Sequence, residues 1–249
     1  MEINLNCDLG EKSKHHSNEN DPDLLKIVNS ANVACGYHAG DEETMKKVVE
    51  ISKENNVSIG AHPSFNDPEN FGRKRINLTA NEISKLVTDQ YEILQNIAIK
   101  LDEKVSHIKP HGALNNMACE DIELATILAK TIYNIDKDII YLVPTGSKME
   151  IAAKKLNMKI ACEIFADRNY EKNYGLVPRS KSHAIIEDRK MVFQHVRSIY
   201  NENKILLQNG EFLEAQANTF CVHSDTPSAV EILQYLQRKL AAENIYIKS

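Results

Sequence analysis

Val105-Ser106-His107-Ile108-Lys109-Pro110-His111-Gly112 begins as a β-strand and ends in titratable residues, proline and glycine. Val105 and Ile108 supply the β-forming part, and Pro110 and Gly112 stop the run. The same design recurs along the chain, with candidate strands at residues 3–6, 31–35, 57–61, 105–109, 139–143, 159–165 and 219–222. Longer segments with helical periodicity separate them. In the one after Leu78, Thr79 and Glu82 form a capping box ahead of Ile83, Leu86, Val87, Gln90, Leu94, Ile97 and Leu101, which share one face. Ser147 and Glu150 repeat that box, and Asp21-Pro22 and Thr226-Pro227 each place an N-cap before proline. Strand and helix alternating from end to end is the mark of repeated βα units. The chain therefore reads as an α/β protein, a β/α barrel of about seven strands, one short of the eight-stranded form, in a single domain over residues 1–249. Asn209-Gly210, inside residues 205–215, predicts an antiparallel hairpin inserted before the last parallel strand. Two loops are long, at residues 66–78 and 169–182.

Composition sets the outer limits. A chain of 249 residues with 42% hydrophobic and 26% charged residues has enough apolar material for a large core and is not disordered. A net charge of −5 leaves no basic footprint for nucleic acid. No apolar stretch approaches the ~20 residues of a membrane helix, and Met1-Glu2-Ile3-Asn4 lacks a cationic leader, so a soluble, cytoplasmic protein without a membrane partner is expected. Cys7, Cys35, Cys119, Cys162 and Cys221 form no C-x-x-C pair and read as small buried hydrophobes of a reducing compartment.

Chemistry collects where the strands end: Asn6 to Glu11, Gly36 to Asp41, Gly60 to Ser64, Lys109 to Gly112, Glu163 to Arg168, and His223 to Asp225. In a parallel barrel all carboxyl ends meet on one face, so these scattered residues should converge. His38, His62, His111 and His223 fall on that rim, which favours an active site over four unrelated structural histidines. Asp8, Glu163, Asp167 and Asp225 suit general bases or metal ligands, and Lys109, Arg168 and Arg179 suit an anion. Other residues have plainer readings. Asp41 caps the helix through Met45, Val48 and Val49, Asp225 alternatively starts the last helix, Glu11 is a weak candidate, and His107 is a hydrogen-bonded structural histidine. His15, His16, His183 and His195 read as surface residues. No G-x-x-x-x-G-K-[ST], G-x-G-x-x-G, H-E-x-x-H or G-x-S-x-G motif is present, which excludes the standard nucleotide loops, zincins and serine-hydrolase elbows.

Asn4-Leu5-Asn6-Cys7-Asp8-Leu9-Gly10-Glu11, Asn32 to Asp41, Gly60-Ala61-His62-Pro63-Ser64, Lys109-Pro110-His111-Gly112-Ala113-Leu114, Glu163 to Tyr170, Gly175-Leu176-Val177-Pro178-Arg179 and Cys221-Val222-His223-Ser224-Asp225-Thr226-Pro227 closely resemble, in order, the signatures of the LamB/YcsF family. The resemblance spans essentially the whole chain. It implies the A component of a prokaryotic 5-oxoprolinase, which opens 5-oxo-L-proline to L-glutamate at the expense of ATP together with subunits B and C. It also implies an irregular seven-stranded TIM-like barrel similar to the glycoside hydrolase/deacetylase fold. Three positions depart from the family pattern: Asn115 stands where tyrosine is usual, Ser224 where glycine is usual, and Asn173-Tyr174 where an acidic residue is common before Gly175.

With that substrate, Asp8, His62, His111 and Asp225 are the candidate catalytic residues, one steering water and another protonating the leaving nitrogen. Asn6, His38, Lys109, Glu163, Asp167, Arg179 and His223 are candidate substrate contacts, with Lys109 or Arg179 holding the carboxylate or the phosphorylated oxygen. ATP is a co-substrate shared with the partner subunits. The rival reading is a metal-dependent amidohydrolase or carbohydrate deacetylase in which Asp8, His62 and His111 hold one divalent ion. Deacetylases usually place two histidines on one segment, and His62 has no such neighbour. A non-catalytic sugar- or acid-binding module is the third reading.

Overall fold

The computed structural model describes residues 2–14 and 16–247; His15 lies outside them. In chain order the strands are β1 Glu2–Leu9, β2 Ser30–Ala34, β3 Ser58–His62, β4 Val105–Ile108, β5 Ile140–Pro144, β6 Ile160–Phe165, β7 Lys204–Leu206, β8 Phe212–Glu214, β9 Thr219–Cys221 and β10 Tyr246–Ile247. The helices are α1 Asp21–Leu24, α2 Glu42–Glu54, α3 Ala80–Lys100, α4 Gly112–Glu120, α5 Ile122–Ile135, α6 Lys148–Lys155, α7 Arg189–Glu202 and α8 Ala229–Ala242. Strands β1 to β6 pair in sequence, all parallel, and β9 joins β6 to β1, closing a seven-stranded barrel. β10 adds a short parallel pairing beside the start of β1, which the sequence pattern did not announce. β7 and β8 form the expected antiparallel hairpin, with Gly210 at φ +82° in its turn.

The helices follow the capping chemistry closely. Thr79 and Glu82 form a complete capping box at α3, whose buried residues include Ile83, Leu86, Val87, Gln90, Leu94 and Ile97. Asp41 caps α2 through the Thr44 amide. Ser147 caps α6 in the same way, while the Glu150 carboxylate accepts from Gly146 rather than returning to Ser147. Two proline-marked starts are corrected. Asp21 lies inside α1, where its side chain accepts from the Gly10 amide instead of capping the helix. Thr226 donates its hydroxyl to Asp167, and α8 begins only after Ser228, so neither Thr226 nor Asp225 serves as its cap. In both places a tertiary partner took the side chain that local geometry offered to the helix.

One large hydrophobic cluster joins strands and helices. Cys7, Cys35 and Cys221 lie in it as expected, whereas Cys119 and Cys162 are only half-buried. His195, expected at the surface, is buried on α7. It shares the inward face with Val192, Val196 and Ile199, at helical spacing, and stacks on Tyr170. Among the described residues no helix is long and apolar enough to cross a membrane.

Candidate active site at the barrel mouth

Side chains two apart on a strand share a face, so Asn6 and Asp8 both enter the barrel from β1. Asn32 on β2 donates to Asn6 Oδ1 and Asp8 Oδ1, each at 2.8 Å. Lys109, just past β4, places Nζ 2.8 Å from Asp8 Oδ1, 2.9 Å from Glu163 Oε1 and 3.1 Å from Cys221 Sγ. The ammonium is enclosed and does not reach solvent. Burial opposes its charge, yet Asp8, Cys221 and Glu163 hold its pKa well above the ordinary lysine value. Burial likewise opposes the charge of Asp8, and His62 and Lys109 outweigh it, keeping that carboxyl well below the usual range. Glu163 is pushed up by burial. His107, buried beneath, takes hydrogen bonds with Asn32 and Ser106 and fills the space beside Gly60, where a Cβ would come within 2.1 Å of its ring. It is structural, as the sequence suggested.

A wall of histidines stands above this floor. His62 ends β3 and His111 precedes α4; His62 Nε2 lies 3.0 Å from His111 Nδ1 and 3.5 Å from Asp8 Oδ2. His38 stacks on His111 with ring centroids 3.9 Å apart. Glu11 binds the group together, its Oε1 lying 3.1 Å from His38 Nε2 and 3.2 Å from His111 Nδ1. Burial drives His38 down to about 3, so its ring is neutral. The 66–78 loop closes over this wall: Phe71 meets His38 and His111 edge-on, and Gly72, at φ +65°, lies where a Cβ would sit 2.9 Å from both.

The opposite wall is a second acid–imidazole pair. Asp167, fully buried, accepts from His223 Nδ1 at 3.0 Å, and the His223 ring stacks on Phe165. At the rim Asp225 accepts from Arg73 at 2.7 Å and from Arg179 at 3.2 Å, joining the two long loops through one carboxylate. Arg168 donates to the Ala184 and Val177 carbonyls; burial and Arg179 lower it to about 10, so it stays charged. Between the walls opens a cavity of about 720 Å³.

Asp8, His62, Lys109, His111, Arg179 and His223 line that cavity, as does Asn115, the position where the chain departs from the family's tyrosine. The remaining predicted residues stand behind this lining. Asn6 is held by Thr219 and Asn32, Glu163 by Lys109, His38 by Glu11, Asp167 by His223 and Asp225 by the two arginines. Glu11 and Arg73 matter more than their sequence positions suggested. The available signal for Glu11 was Gly10, whose φ of +71° turns the chain at the end of β1 and sends the next side chain back over the mouth. Arg73 gave no local signal.

Relatives with known names place this architecture. A protein from Staphylococcus carnosus, named as the A component of 5-oxoprolinase, is 38% identical over 247 residues, covering 99% of this chain and 98% of that protein. The crystal structure of a lactam utilization protein from Thermus thermophilus matches with a TM-score of 0.92 and 29% identity, covering 100% of this chain and 99% of that one. A family 4 carbohydrate esterase from Streptomyces lividans matches with a TM-score of 0.50 and 8% identity over 100% and 92% of the two chains, a likeness of fold alone. The model of the LamB/YcsF family matches residues 3–249, and the chain belongs to that family.

Proposed function

We propose that this chain is the A component of an ATP-dependent 5-oxoprolinase, opening 5-oxo-L-proline to L-glutamate together with subunits B and C. The observation that carries the reading is one cavity with an ionised Asp8 at its floor, His62 3.5 Å from that carboxylate and the Asp167–His223 pair beside it. The name of the Staphylococcus carnosus relative supports that substrate.

A five-membered lactam is stabilised by amide resonance, and its opened product recloses intramolecularly, so hydrolysis needs a driving reaction. Transfer of a phosphoryl group from ATP to the amide oxygen supplies it and releases ADP. Water then adds to the activated carbon while a base takes its proton; the ring C–N bond breaks as nitrogen is protonated; a second water releases phosphate and leaves glutamate. Asp8 suits the base, because it lines the cavity and Lys109 and Asn32 both hold Oδ1, so neither engages Oδ2. His223 suits the acid. Asp167 holds its Nδ1 and leaves Nε2 for the leaving nitrogen.

His62 and His111 have a different part. His62 Nδ1 meets the Lys109 carbonyl and His111 Nε2 meets the Phe71 carbonyl, so both N–H groups point away from the nitrogens that face the site. In their neutral forms they offer electron pairs there, not protons. Arg179, with Arg73 beside it, suits the substrate carboxylate, and Asp225 gathers the two guanidiniums.

The test is release of glutamate and ADP from 5-oxo-L-proline and ATP, first with this chain alone and then with subunits B and C. Turnover only in the mixture is expected. No turnover in a mixture shown to assemble overturns the reading in favour of a hydrolase acting on another amide.

A further inference from the structure

The hydrogen bonds of His62 and His111 leave an unpaired electrostatic demand. A carbonyl oxygen can only accept, so the 2.6 Å contact from His62 Nδ1 to Lys109 O and the 3.0 Å contact from His111 Nε2 to Phe71 O each fix a hydrogen on the outward nitrogen. When both rings are neutral, the inward nitrogens, His62 Nε2 and His111 Nδ1, carry lone pairs on atoms only 3.0 Å apart. Glu11 Oε1 adds a third electron-rich atom, 3.2 Å from His111 Nδ1 and 3.8 Å from His62 Nε2. All three side chains are buried, so solvent does not screen their repulsion.

We propose that Glu11, His62 and His111 bind one divalent transition-metal ion, with Asp8 close by and outside the three ligands. Zinc-class ions sit about 2.0–2.2 Å from nitrogen and oxygen ligands, which at tetrahedral or octahedral angles puts the ligands roughly 3.0–3.5 Å apart. The separations of 3.0 and 3.2 Å fall in that range, and the 3.8 Å pair lies slightly outside. The surroundings fit as well. Each imidazole donates its other N–H to a backbone carbonyl, the arrangement that fixes the tautomer of metal-binding histidines, and Glu11 is steadied by His38. Two imidazoles and a carboxylate without a thiolate favour zinc, cobalt or nickel over magnesium or calcium.

Two neighbouring groupings fit less well. His38 with Glu11 and His111 brings ligand atoms close, but the His38 and His111 rings stack within 9° of parallel, so their in-plane lone pairs do not converge on one ion. Asp8 with Cys221 and His223 also converges, yet the Lys109 ammonium sits 2.8 Å from Asp8 and 3.1 Å from Cys221 and supplies the positive charge there. The inference stands on the donor set and does not depend on the lactam reading.

The experiment uses the full chain, stripped with chelator and titrated with cobalt(II) and zinc(II). Metal content, the visible spectrum and X-ray absorption are read, with circular dichroism as the folding control. One equivalent per chain is expected, with two imidazole ligands and no sulfur. Glu11→Gln and His111→Ala should each weaken binding by at least about 100-fold, whereas His183→Ala, on an exposed turn, should bind as the parent does. A folded chain that takes up no ion below millimolar concentration overturns the proposal, and so does a sulfur ligand. The first result assigns the charge between the two nitrogens to a shared proton. Glutamate release by the three-subunit mixture is a separate readout, so an empty metal site and a failed lactam reading remain distinguishable.

Discussion

The floor and the rim of the barrel mouth use similar residues to different ends. On the floor, Asp8, Lys109 and Glu163 are buried on or beside strands, with Lys109 Nζ 2.8 Å from Asp8 and 2.9 Å from Glu163. At the rim, Arg73, Arg179 and Asp225 come from loops and keep side-chain exposures of 42%, 28% and 16%. An ion pair in water is worth little, while a desolvated one is costly to break. The floor therefore suits chemistry that needs fixed charge, and the rim suits capture and release of an anionic substrate.

The largest expected effect comes from breaking the floor. Asp8→Asn should lower glutamate formation in the assembled complex by roughly 10³-fold, within the range for losing a general base, with an unchanged circular dichroism spectrum. Turnover within tenfold of the parent would move the chemistry elsewhere.

Next comes the edge of the floor, where burial pushes Asp21 up to about 7 while its carboxylate accepts from Gly10. The folded state holds this proton more tightly than the unfolded chain, so its stabilising contribution is complete below about pH 4 and is lost as pH rises through 7. Asp21→Asn keeps an oxygen for Gly10 and removes the titration. It should raise unfolding stability at pH 8 by on the order of 3 kcal/mol and leave it nearly unchanged near pH 4. Equal effects at both pH values would mean that this carboxyl is not the titrating group.

The rim should respond more gently. Asp225→Asn should raise KM for 5-oxo-L-proline about tenfold, the cost of one charged contact, with kcat within about threefold. A collapse of kcat instead would place Asp225 among the reacting groups and erase the division between floor and rim. Smallest of all, Thr79→Ala should cost about 1 kcal/mol in a denaturant titration by removing the cap where the 66–78 loop enters α3, with no change in kcat.

Much of this frame is legible in the chain. The seven barrel strands, the hairpin and the capping box of α3 each rest on residues near in sequence, and local geometry decides them. Asp21 and Thr226 show the limit of such reading. Their side chains satisfy the local pattern of a helix start, yet Gly10 and Asp167 claimed them, because a buried polar partner is worth more than an exposed cap. Glu11 looked peripheral for a related reason: one positive φ at Gly10 decides where it points.

By itself the sequence determined the barrel, the face on which titratable residues gather and the family signatures, because side-chain periodicity and turn chemistry act over a few residues. Only the tertiary structure decided which groups pair: Asp8 with Lys109 across 101 residues, Asp167 with His223 across 56 and Arg73 with Asp225 across 152. Charge, tautomer and proton position follow from those pairings, since burial and distance set electrostatic energy and neither can be read along the chain.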